Sequence, residues 1–326
     1  RDYTNLDFLK YMGDYVQNNQ GNIQRQNVLE LVQQIPASNL SNYVFKNKDG
    51  LSFENQSLAW GIAQPSNSNG AAYSDLDNDG DMDAFIVNHD FQNRLFRNNG
   101  DGSFTDVIQS SGINANDLGA WENAAGDFNN DGFMDIYAQL ENELYLGHGD
   151  LTFSGMDVEV RQGAIADLNN DGFLDIYHNS QVWINEPTDQ HWIKTSLFGI
   201  TSNRNGIGAR IEIYGPWGKQ IREVRSGQSY SPMSSLNTHF GLGQNELVDS
   251  LIVRWPSGIV TRIFNLTADS MYLIPEMPCI GESSIALIDG PSSICQGETA
   301  MLTAPPGYSE YLWSDHQTGQ VIYATH

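Results

Sequence analysis

The sequence predicts a mainly β fold: β-propeller-type blades, a C-terminal β domain, and a short helical segment at the N-terminal end. Three observations carry this reading. An Asp-rich nine-residue segment occurs three times, a short aromatic hairpin pattern alternates with it, and 31 glycines with many Asn/Asp clusters supply tight turns. With 326 residues, the chain is long enough for several domains.

Charge limits the partners. The chain carries 16 Lys+Arg against 40 Asp+Glu, a net charge of -24. Such a field repels phosphates, which excludes nucleic acid and anionic membrane surfaces as main partners. No apolar run approaches the roughly 18 residues of a membrane span. The charge is also uneven. Residues 191–262 hold eight basic residues and only the acids Glu212, Glu223, Glu246 and Asp249, which marks a separate module with a balance of +4.

In chain order, residues 4–35 read as helical. Thr4 and Asp7 resemble a capping box, Val28, Leu31, Val32 and Ile35 keep the helical period, and Pro36 stops the run. Residues 1–41 are therefore a helical segment packed on a β domain.

The repeats fill residues 42–190. Asp75–Asp83, Asp127–Asp135 and Asp167–Asp175 align without gaps, starting 52 and 40 residues apart. The alternating hairpin pattern covers Asn42–Asn47 before Phe53, Asn93–Asn98 before Phe104, and Asn142–Tyr145 before Phe153. A weaker fourth copy runs from Val182 to Asn185 before Trp192. Two hairpins per 40–50 residues is the arithmetic of a propeller blade. The strand before each Asp loop is built of small residues (Gly70–Ala72, Asn123–Gly126, Gly163–Ala166), as a crowded inner strand requires.

Within each repeat, oxygen-bearing side chains fall at positions 1, 3, 5 and 9, and Gly falls at position 6. These are Asp75, Asp77, Asp79 and Asp83; Asp127, Asn129, Asp131 and Asp135; and Asp167, Asn169, Asp171 and Asp175. Position 7 is Asp81, Phe133 or Phe173, and since Phe cannot ligate, that position offers its backbone carbonyl. Hard oxygen donors in this number select Ca²⁺, and no His/Cys set suggests zinc. An EF-hand needs Glu at position 12 and flanking helices. Here that position is Ile86, Ala138 or His178, and the flanks read as strands. The expected cofactor is about three structural Ca²⁺ ions. With net acidity and cysteines only at Cys279 and Cys295, this points to a secreted or cell-surface protein.

These loops resemble the FG-GAP/VCBS repeats of integrin-type propellers. Residues 191–275 resemble the ASPIC/UnbV domain of the cartilage acidic protein family. The carrying motifs are His191-Trp192, Asn203–Arg210, Gln220 with Arg222-Glu223-Val224, Gly227 with Tyr230, His239–Gly243, and Val248-Asp249 leading to Trp255–Gly258. The resemblance implies a calcium-loaded seven-bladed propeller with an appended β domain and no enzymatic activity. About four hairpin units are visible, so the missing blades lie upstream of Arg1, come from another chain, or are absent. Residues 279–326, with Cys295–Thr303 and Tyr311–Ser314, resemble the start of an Ig-like or PKD-like module and make a partial Ig-like sandwich.

Other constellations read as structural. Gly206-Ile-Gly208 lacks the strand–loop–helix setting of a phosphate loop and is a β-turn. His191 and His239 have no accompanying nucleophile. Arg204, Arg210, Arg222 and Arg225 dock the module on the acidic repeats rather than hold an acidic glycan, and Trp183, Trp192, Trp217 and Trp255 are core or interface residues. The expected function is calcium-stabilised binding or adhesion through propeller loops, with a protein or glycan partner at the cell surface. The alternative is a structural subunit of an extracellular filament, self-assembling through incomplete end modules. A glycan-processing enzyme is the third reading.

Overall fold

The computed structural model describes residues 6–18, 40–66, 68–88, 92–115, 123–138, 143–158, 163–178, 180–227, 233–277, 299–304, 311, 313 and 317–325. It is mainly β. The described helix, α1 (Leu6–Asn18), has Asp7 in its first turn and buries Phe8. The remainder of the expected helix, including Val28, Leu31, Val32 and Ile35, lies outside the described residues, as do Cys279 and Cys295.

Short strands follow: β1 (Leu40–Ser41), β2 (Phe45–Asn47), β3 (Phe53–Asn55) and β4 (Pro65–Ser66). β2 and β3 form the first expected hairpin, and β1 pairs with β4. Two four-stranded antiparallel meanders come next. The first comprises β5 (Ser68–Ser74), β6 (Asp83–Asn88), β7 (Arg94–Asn98) and β8 (Phe104–Asp106). The second comprises β9 (Asn123–Gly126), β10 (Asp135–Ala138), β11 (Glu143–Gly147) and β12 (Phe153–Asp157). A third sheet has three strands, β13 (Ala164–Ala166), β14 (Asp175–His178) and β15 (Gln181–Trp183). The small-residue strands β5, β9 and β13 each stand at one edge of their sheet, and β5 lies beside β9. Apolar side chains of the two meanders, among them Phe85, Val87, Leu95, Ile136 and Phe153, share one core.

The fourth expected hairpin does not form. β15 pairs only with β14, and Trp192 belongs to the next strand, β16 (His191–Phe198), which pairs with partners far along the chain. Trp192 is aromatic for a different reason: its indole covers the third Asp loop at Gly172.

β16 opens a two-sheet module. Its other strands are β17 (Arg210–Gly215), β18 (Gly218–Glu223), β19 (Thr238–Gly243), β20 (Leu247–Arg254), β21 (Val260–Thr267) and β22 (Ser270–Pro275). One sheet runs β19-β16-β22, with β22 parallel to β16, and the other runs β18-β17-β20-β21. Ile193, Phe240 and Leu242 from the first sheet share a core with Ile211, Ile213, Leu251 and Val253 from the second. Each such fully buried side chain contributes about 1.5–3 kcal/mol of transfer free energy. Trp217 packs on this core and Trp255 lies within it, while Gly206 and Gly208 occupy turns before β17.

Beyond the module, β23 (Thr299–Thr303) pairs with β24 (Val321–Thr325) as an antiparallel pair. Among the described residues no helix is long and apolar enough to cross a membrane.

Candidate metal centre

Each Asp repeat is the loop between the first two strands of its sheet, β5–β6, β9–β10 and β13–β14. The three loops share one internal wiring. Gly80, Gly132 and Gly172 take positive φ of 100°, 94° and 89°, where a side chain is strained. Their amides donate to the position-1 carboxylates, Asp75 (3.3 Å), Asp127 (2.9 Å) and Asp167 (2.9 Å). The position-9 carboxylates are held by backbone amides on both oxygens. Asp83 accepts from Leu76 and Asn98, Asp135 from Phe128 and Gly147, and Asp175 from Leu168 and Asn185. Side-chain oxygens at position 5 accept from the amides of Asp81, Phe133 and Phe173. This leaves every position-7 side chain uninvolved in the internal bonding of its loop.

In the first loop the carboxylates converge. Ligand oxygens of Asp75, Asp77 and Asp83 lie within 4.8 Å of one another. Asp75, Asp83 and Asp135 are fully buried, and Asp127 nearly so. Burial raises Asp75 to about 6 and Asp83 to about 7 despite the amides that favour their charged forms. Burial, reinforced by Asp131, raises Asp127, and burial with the Asp127 charge holds Asp135 well above the ordinary carboxylate range. Asp77 and Asp175 are also raised, first by burial. Asp75 Oδ2 and Asp127 Oδ1 are buried and accept no hydrogen bond. An unpaired buried carboxylate oxygen is costly. An oxygen-only donor set with such vacant lone pairs could hold a hard divalent cation.

Sequence reasoning passed over position 4. Asn78, Asn130 and Asn170 all take positive φ near 60°. Asn78 donates to the Gly132 carbonyl at 3.2 Å and Asn130 to the Gly172 carbonyl at 3.1 Å, so each loop is tied to the next. The invariance of Asn at that position across the three copies was the available signal.

The +4 module closes this row. Arg210 donates to the Gly80 carbonyl at 2.9 Å, the position equivalent to those that Asn78 and Asn130 address. At the other end Lys194 reaches Asn170 Oδ1 at 3.2 Å and Asp167 Oδ2 at 2.5 Å. Between them, Gly243 donates to the Asn130 carbonyl (2.8 Å), and His239 Nε2 lies 2.9 Å from the Gly172 carbonyl. Burial holds His239 down at about 4, so the ring is neutral at neutral pH and donates through Nε2–H. β19 is buried on both faces for this reason: Phe240 and Leu242 point into the module core, and His239 and Gly241 meet the loops.

The basic residues divide as follows. Arg222 is buried and attracts Asp127 and Asp75 through space, while its own donors go to His239, Ile221 and Gln220. Arg225 donates to the Tyr73 carbonyl and lies over the Tyr73 ring. Arg204 lies over Phe198 within the module and does not dock. His191 pairs with Asp269 at 2.8 Å.

Two family models match the chain. The ASPIC and UnbV model covers residues 199–279, and the FG-GAP-like repeat model covers residues 75–138. The chain joins FG-GAP-like repeats to an ASPIC/UnbV domain. The FG-GAP-like match spans the first two Asp loops, and the third follows with the same wiring. β16, which supplies Lys194 and Trp192 to the third loop, precedes the ASPIC/UnbV match yet is hydrogen-bonded into that domain's first sheet. No curated protein matches this chain.

Proposed function

We propose that this chain is a calcium-stabilised binding module of the cell exterior, not an enzyme, in which propeller-type blades present loops to a protein or glycan. The observation that carries the calcium reading is the pair of buried, unpartnered oxygens, Asp75 Oδ2 and Asp127 Oδ1, inside oxygen-only clusters. The first loop would hold the ion with Asp75, Asp77, Asp79, Asp83 and the Asp81 carbonyl. The second would use Asp127, Asn129, Asp131, Asp135 and the Phe133 carbonyl, and the third Asp167, Asn169, Asp171, Asp175 and the Phe173 carbonyl. The ion supplies positive charge that offsets carboxylate repulsion and fixes the loop. The propeller reading is supported by consecutive antiparallel meanders with small inner strands and by β5 lying beside β9.

A binding role is favoured over catalysis because the clustered carboxylates are engaged with backbone amides of their own loops. The second reading, a subunit of an extracellular assembly, is favoured by the β2–β3 hairpin. Phe45 and Phe53 are exposed there, and Tyr43 stacks on Phe45. Thermal unfolding in calcium, magnesium and chelator tests the proposal. Calcium should raise the midpoint well above magnesium, and Asp75→Asn with Asp127→Asn should abolish most of the rise. Equal midpoints in calcium and chelator would refute it.

A further inference from the structure

The three loops are not equivalent toward a cation. In the first two, one buried oxygen of the position-1 carboxylate has no partner. In the third, both oxygens of Asp167 are used. Oδ1 accepts from the Asp171 amide at 3.1 Å, and Oδ2 accepts from the Gly172 amide and from Lys194 Nζ at 2.5 Å. Both side chains of this ion pair are buried, Lys194 at 5% and Asp167 at 2% exposure. The ammonium is held from two further sides, by Asn170 Oδ1 and by the Trp192 ring 5.2 Å away. Among the described residues, no ion pair joins a basic side chain to a carboxylate of the first or second loop. Lys219 Nζ lies over Gly80 of the first loop but makes no ion pair with its carboxylates, and Arg222 stands near both loops but gives its hydrogen bonds to the module's own carbonyls and to Gln220.

We propose that Lys194 is the resident cation of the third loop, so that the chain binds two calcium ions tightly and a third only weakly. The inference rests on the calcium reading above and departs from the expectation of about three structural ions by setting the third loop apart. A fixed ammonium on the position-1 ligand removes one unit of negative charge from the site and repels a divalent ion within a few ångströms. Even with strong screening, this weakens binding by about ten- to a hundredfold. The lysine comes from β16, so the module itself neutralises the end of the loop row where no further described loop receives the Asn170 side chain.

The test is native mass spectrometry and calorimetric titration of CaCl₂ into the full chain. Wild type should show two tight ions. Lys194→Met, which keeps the stem and removes the charge, should show three, and calcium should raise its thermal midpoint more than it raises that of wild type. Asp171→Asn, a milder change in the same loop, should leave two tight ions, whereas Asp79→Asn should leave one. Three tight ions in wild type, or loss of a tight ion in Asp171→Asn, would overturn the assignment of Lys194 while leaving the calcium reading standing. No calcium bound by wild type at millimolar concentration would overturn both.

Discussion

Gly241→Ala is the sharpest probe of how the module sits on the loops. Gly241 lies in β19 with no left-handed φ, so alanine meets no backbone strain of its own. Its Cβ would stand 2.2 Å from Asp127 Oδ2 and 2.5 Å from both C and Cα of Asn130. Carbon atoms rest at about 3.5–4.0 Å, so strand and loop must separate by about 1 Å or more. β19 cannot retreat freely, because Phe240 and Leu242 pin its other face in the module core. Separation stretches the Gly243–Asn130 and His239–Gly172 hydrogen bonds, now 2.8 and 2.9 Å. Overpacking costs about 1–3 kcal/mol and each lost bond about 1 kcal/mol, for an expected destabilisation of about 3–5 kcal/mol. Urea unfolding in calcium buffer, followed by tryptophan fluorescence, measures it. Gly227→Ala is the control, since nothing among the described residues lies within 4 Å of the added carbon and its φ is not left-handed. If the two variants unfold within about 0.5 kcal/mol of each other, the seating of β19 on the second loop is wrong.

The other predictions concern charge and metal. The first loop has Asp at positions 1, 3, 5, 7 and 9, so calorimetry should show that Asp79→Ala removes a tighter calcium phase than Asp131→Ala does. In calcium-free buffer, stability should fall as pH rises from about 4 to about 7, read from urea midpoints. Asp75 is raised to about 6 and Asp83 to about 7 from 3.8, so the folded chain keeps protons there that the unfolded chain releases. Saturating calcium should reverse that slope. Glu276 accepts hydrogen bonds from the amides of Ile200, Thr201 and Ser202 and from the hydroxyls of Ser202 and Ser257. Burial pushes its pKa up, but the Ser257 and Ser202 hydrogen bonds outweigh this and bring it to about 2. Its stabilisation should be complete above about pH 4.5 and lost as pH falls through about 2, and Glu276→Ala should cost about 3 kcal/mol at neutral pH in a denaturant titration.

The loops were legible because everything that defines them is local. A nine-residue segment contains its carboxylates, its left-handed Gly and the Gly amide that orients the position-1 carboxylate, and only the second amide on position 9 comes from the following strand or turn. The hairpins were legible for the same reason, except where Trp192 looked like the closing aromatic of a fourth one. That residue opens β16, whose partners β19 and β22 lie roughly 50–80 positions later, and no local pattern reveals such pairing. Lys194, His239 and Gly241 were unreadable as loop contacts because β16 and β19 meet the loops only after the module has folded. The charge imbalance foretold docking but not which residues perform it. Arg204 shows the limit: it stands in the basic stretch yet stacks on Phe198. Glu276 lay beyond every motif, and its pocket is assembled from two loops some 19 and 75 residues away.

The central claim is that metal in the Asp loops and seating of the ASPIC/UnbV domain form one linked structure. Hydrogen exchange of the full chain in saturating calcium and in chelator tests both parts at once. Calcium should slow exchange in residues 75–83 and 127–135 and also in β18 and β19, whose faces rest on those loops. Exchange in β18 and β19 that is identical in the two buffers would contradict the linkage, and identical exchange in the loops themselves would contradict the metal site.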